Sequence, residues 1–107
     1  MDDIRVTLLL SVQRALLGSV PATLRAVTCD WEGTEIKLQF LFDGEIGERD
    51  RESVQVVGAE VIADFPSPWT ISEEIRRLDS PADVRPSALA HWAYLRTEPN
   101  TASENSN

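Results

Sequence analysis

The stretch "TLRAVTCDWEGTEIKLQFLF", residues 23–42, constrains the fold more tightly than any other part of the chain. Apolar and polar residues alternate on both sides of Glu32-Gly33, and glycine supplies the positive φ that a two-residue turn requires. With Glu32-Gly33 as the turn, Cys29 lies opposite Ile36, Val27 opposite Leu38 and Arg25 opposite Phe40. One face then collects Val27, Cys29, Ile36, Leu38, Phe40 and Phe42, and the other shows Thr28, Asp30, Glu35, Lys37 and Gln39. A hairpin with one oily and one wet face needs a single covering layer, which predicts a two-layer domain.

Two segments can supply that layer. Residues 3–18, "DIRVTLLLSVQRALLG", carry Ile4, Leu8, Val12 and Ala15 at helical spacing, with Asp3 suited to the N-terminus and Gly18 to the C-terminal end. Leu9, Leu10, Leu16 and Leu17 widen this stripe beyond one narrow face, so the helix is either deeply covered or shared with a partner subunit. Residues 48–65 repeat the pattern through Val54, Val57, Gly58, Val61, Ile62 and Phe65, ending at "FPSP". Two more strands are expected at 69–78 and 89–96, separated by a loop with two prolines. Trp69, Ile71 and Ile75 share one face of the third strand, with Glu73 a blemish among them. On the fourth, Trp92 and Tyr94 share a face with Ala90.

The order α-β-β-α-β-β over residues 1–97 predicts a single α+β domain. It should have a four-stranded, mainly antiparallel sheet with both helices on one face. Each half reads as helix, break and two strands, which suggests a structural repeat. Residues 98–107, "EPNTASENSN", read as a disordered polar tail. At 107 residues the chain can build one modest core.

"FDGEIGERDRES", residues 42–53, raises the functional question. Asp43, Glu45, Glu48, Asp50 and Glu52 face only Arg49 and Arg51, in a chain whose net charge is already -8. A second set of acids, Glu73, Glu74 and Asp79, follows the helix. A helix start favours one or two acids near its N–H groups, so part of this excess is structural. Acidity also keeps small domains soluble. The charge disfavours direct binding to a phosphate backbone and would speed encounter with a basic protein.

Catalytic chemistry finds little support. His91 is the only histidine and Cys29 the only cysteine, so a triad would need both. A Cys29–His91 pair across a sheet is geometrically possible, against the plainer reading of a buried thiol and a strand histidine. One Cys and one His do not make a zinc site, the acids lack calcium-loop spacing, and Gly44 and Gly47 are flanked by Glu45 and Glu48, which would repel a phosphate. Glu73–Glu74 reads as a solvated strand edge. No metal or other cofactor is expected. No apolar run approaches the roughly 20 residues that cross a bilayer. The acidic start, Met1-Asp2-Asp3, lacks the basic region of a secretory leader, and a lone cysteine suits a reducing compartment. A cytoplasmic protein with no membrane contact is expected.

The runs "LLLSVQRALLGSVPATLRAVT", "IKLQFLFDGEIGERDRESVQVVGAEVIADFP", "IRRLDSP" and "WAYLRTE" resemble small bacterial immunity proteins of polymorphic toxin systems, including contact-dependent growth inhibition. The likeness spans nearly all of residues 4–98. One departure is Gly47, where a serine N-cap would be expected. The resemblance implies a non-catalytic cytosolic protein that binds one cognate toxin domain and blocks it. It carries over no binding residues, because immunity proteins meet their toxins through different surfaces. A nuclease toxin would present a basic cleft, and the candidates to meet it are Asp43, Glu45, Glu48, Asp50, Glu52, Glu73, Glu74 and Asp79, with Trp92 and Tyr94 as an aromatic anchor. The rival reading is a structural or adaptor domain that forms a homodimer through the first helix or the aromatic strand. A small enzyme has the least support.

Overall fold

The computed structural model describes residues 3–98. Most of the expected tail, residues 99–107, lies outside the described residues. Seven elements follow one another: α1 (Ile4–Leu16), β1 (Leu24–Glu32), β2 (Glu35–Phe42), α2 (Glu48–Ala63), β3 (Thr70–Arg77), a short 3₁₀ turn (Arg85–Ser87) and β4 (His91–Leu95). The sheet order is β3-β2-β1-β4. β1 runs antiparallel to both β2 and β4, while β3 runs parallel to β2. A parallel neighbour needs a crossover, and α2 provides it. α1 lies against β4, α2 against β3, and the helices touch each other, so both cover one face. The chain is the α+β domain that its α-β-β-α-β-β order predicts. The halves repeat in order only: β1 and β2 form a hairpin, whereas β3 and β4 stand at opposite edges.

The hairpin turns one position later than expected. Gly33-Thr34 forms the turn, closed by Glu32 opposite Glu35, with Gly33 at φ +60°. Cys29 therefore faces Leu38 and Val27 faces Phe40. The partner strand moved by two residues, and a shift of two leaves every side chain on its original face. Leu8, Val12, Val27, Cys29, Ile36, Leu38, Phe40, Phe42, Val57 and Val61 all bury in the layer between helices and sheet. Each large one contributes about 1.5–3 kcal/mol by leaving water.

The other face is less wet than its residues suggest. Residues 78–90 fold back across it, and Leu78 and Val84 pack on Ala26 and Leu41 in a second small core. Thr28 and Gln39 are buried beneath this segment. The Thr28 hydroxyl donates to Gln39 Oε1 at 2.8 Å and accepts from Leu89 N–H at 3.0 Å. The Gln39 amide donates to Ser87 O at 2.7 Å and to Glu74 Oε1 at 3.0 Å. These bonds satisfy the polar atoms that the cover removes from water. Glu35 stays exposed, and Asp30 and Lys37 stay half-exposed.

Two strand irregularities re-aim side chains. One lies between Leu24 and Ala26 and takes Arg25 off the core face, so it does not oppose Phe40. The other lets Thr28 pair with Trp92 and Val27 with Tyr94. An extra residue in β4 breaks the alternation of its faces. Trp92 and Tyr94 consequently do not share a face. Tyr94 joins Ala93 against the main core, while Trp92 and Leu95 are exposed.

Candidate partner-binding surface

Because β2 and β3 are parallel, the segments leaving them emerge at the same end of the sheet, and this brings the two acidic groups together. Asp79 Oδ1 accepts from Gly44 N–H at 2.7 Å, and Asp43 Oδ1 accepts from Ser80 N–H at 3.2 Å. Three arginines also converge on this end. Arg77 pairs with Asp79 at 3.0 Å, and Arg96 pairs with Asp43 at 3.0 Å and Glu98 at 2.9 Å. Arg25 reaches Glu98 at 2.8 Å. Asp79 is held below the usual carboxylate range, first by Arg77 and then by Gly44 N–H. Asp43 and Asp79 thus tie two loops to the chain's own arginines.

The remaining acids continue from that end onto α2. Asp50 is partly structural, accepting from Gly47 N–H at 3.2 Å, the reciprocal half of a capping box in which the N-cap is glycine and has no side chain to complete it. Glu48 starts the helix and Glu52 follows one turn later. Among the described residues, Glu45, Glu48 and Glu52 form no ion pair within the chain, although Glu45 lies near enough to Arg77 to favour its charged form. These acids outnumber the exposed Arg49 and Arg51 beside them, which likewise form no ion pair among the described residues, so the stretch keeps a small excess of exposed acid.

Glu73 and Glu74 separate to opposite faces of β3. Glu74 receives the Gln39 amide on the outer side. Glu73 turns toward α2, where Gly58 leaves room for it: a Cβ at position 58 would overlap the Glu73 carboxylate. Partial burial pushes Glu73 up from the usual carboxylate value. This explains the acid on an otherwise apolar face.

Cys29 and His91 are register neighbours across β1 and β4. Burial pushes the thiol up to about 12, the reverse of an activated nucleophile. His91 stacks on Trp31, with ring centroids 5.3 Å apart. Among the described residues, no group of three or more His, Cys, Asp or Glu side chains could hold a metal ion, and no helix is long and apolar enough to cross a membrane.

Arg25, Arg96 and Glu98 also build this end of the sheet, and none of them was expected there from the sequence. Their available signal was a charged residue inside an apolar strand and an Arg-x-Glu beyond the last strand. Glu98, assigned to the tail, is fixed by two arginines.

Fold and surface together define a small α+β module whose distinctive exposed chemistry is acid at one sheet end and helix start. Residues 5–98 match the family described as MafI2 immunity protein, and the chain belongs to that family. This agrees with the resemblance to immunity proteins of bacterial polymorphic toxin systems. A search of curated proteins gives no match.

Proposed function

We propose that this protein is a non-catalytic cytoplasmic immunity protein that binds one cognate toxin domain, through the acids at the start of α2, and neutralises it. The observation that carries this reading is the division among the acids. Asp43 and Asp79 are paired with Arg96 and Arg77, while Glu45, Glu48 and Glu52 have no internal ion-pair partner among the described residues. A surface with surplus carboxylates attracts a basic partner and accelerates docking. The basic cleft of a nuclease fits that chemistry, since carboxylates can stand where substrate phosphates would lie. Contact-dependent growth inhibition is one setting in which such a pair operates. Asp43, Asp50 and Asp79 shape the base of the surface, and Trp92 with Leu95 is an exposed apolar patch to which the interface could extend.

The test is co-expression with a toxin domain encoded beside this gene. Growth rescue and co-purification as a stoichiometric complex support the proposal. Continued toxicity in the presence of folded, abundant protein rejects it.

A further inference from the structure

We infer that β3 is a self-pairing edge, through which two copies of this chain join their sheets. β3 ends the sheet and pairs with β2 without a register irregularity. The other edge, β4, is shorter and broken by a bulge, a common protection against edge pairing. β3 has neither proline nor bulge across its eight residues.

Its outward hydrogen-bonding groups can be assigned. Thr70 N–H donates to Thr34 O and Leu78 N–H to Phe42 O, so the even-numbered residues turn their N–H and C=O toward β2. Alternation then directs those of Ile71, Glu73, Ile75 and Arg77 to the open edge. A two-fold related copy can exchange ladder bonds only if outward residues oppose outward residues.

Charge selects among these registers. The sequence from 73 to 77 is Glu-Glu-Ile-Arg-Arg. Centring the two-fold on Glu73 opposes it to its own copy, and centring on Glu74 does the same for that residue. Both place like charges face to face. Centring on Ile75 opposes Glu73 to the partner's Arg77 and Glu74 to the partner's Arg76, each twice. Ile75 meets its own counterpart in a hydrogen-bonded pair. The five-residue segment is therefore its own complement in both backbone and charge, and its net charge is zero within a chain at -8. Glu73 has no ion pair among the described residues; the partner's Arg77 bonds its own Asp79 through Nε and Nη2, which leaves Nη1 to face Glu73 as a counter-charge. A second copy is the occupant that this palindrome fits.

The experiment uses the full chain and two single variants, Glu74→Arg and Arg76→Glu. Light scattering of the wild type over a concentration series should rise reversibly from 11.9 kDa toward twice that mass. Each variant alone places like charges opposite one another and should stay monomeric, with its fold checked by circular dichroism. Mixed in equal amounts, the two should regain the dimer, with one of each in native mass spectrometry. Glu73→Pro, which removes an outward N–H and none directed at β2, should also be monomeric. A wild type and a mixture that both stay monomeric at every concentration overturn the inference. So does a dimer that persists in both single variants, or a mixture that gives no heterodimer.

Discussion

Arg25 and Glu98 are joined by two parallel hydrogen bonds, Nε to Oε2 and Nη2 to Oε1, each 2.8 Å long. The arginine is buried, and it also donates to Leu78 O at 2.6 Å and Ala82 O at 2.7 Å. One side chain from the first strand thereby holds both the segment that covers the outer sheet face and Glu98, three residues beyond the end of β4. Every donor direction used meets an acceptor, which is the condition for burying a guanidinium at tolerable cost.

Removing the carboxylate should therefore hurt more than removing a surface charge. Glu98→Ala leaves Arg25 buried with only its carbonyl partners, and a cost of about 3 kcal/mol is expected, the lower end for a broken buried pair. Urea unfolding with an unchanged slope measures it directly. A loss under about 0.5 kcal/mol would mean that the pair is as weak as an exposed one.

The same pair sets a pH dependence, and Glu73 sets the opposite one. Glu98 is held below its ordinary 4.5 by Arg25 first and Arg96 after it. A depressed folded-state value stabilises the fold above the ordinary carboxylate range, and this is lost as pH falls through the folded value. Glu73 is raised above 4.5 by partial burial, so the fold holds its proton more tightly, and stability falls as pH rises through that range. Glu98→Gln should thus be less stable than wild type at neutral pH, with the gap closing in acid. Glu73→Gln should be more stable at neutral pH, its gap also closing in acid. Melting temperatures between about pH 3 and pH 7 test both signs.

Gly58 and Glu73 should be energetically coupled. Alanine within a helix is better than glycine by about 1 kcal/mol, but here the added methyl overlaps the carboxylate. Gly58→Ala should give little or no gain in the wild type and most of that gain in a Glu73→Ser background. Equal effects in both backgrounds would show that the carboxylate does not occupy the notch.

Val61 lies fully buried on the face of α2 that packs on the sheet. Val61→Asp puts an unpaired charge there, and a loss of several kcal/mol is expected in chemical denaturation.

The legible parts of this fold were those governed by periodicity. Val54, Val57, Gly58 and Val61 mark the buried face of α2 at helical spacing and bury as expected. The hairpin's inner face survived a misplaced turn because strand faces have period two. What failed was tertiary. Nothing local in Thr28 or Gln39 announces that residues 78–90 will cover them. Nor does the β4 sequence announce the bulge that parts Trp92 from Tyr94. Among the acids, residue type could not separate Asp43 and Asp79, paired with arginines more than 50 and two residues away, from Glu45, Glu48 and Glu52, which have no ion pair among the described residues.

Surplus carboxylates at the start of α2 are proposed to steer a basic toxin onto this surface. The most direct measurement is the association rate constant with the cognate toxin domain, for wild type and for Glu48→Lys combined with Glu52→Lys, at low and at high salt. The double variant should associate more slowly at low salt, and added salt should slow the wild type toward the same rate. Equal rates for the two proteins at low salt would contradict the account and move the interface away from α2.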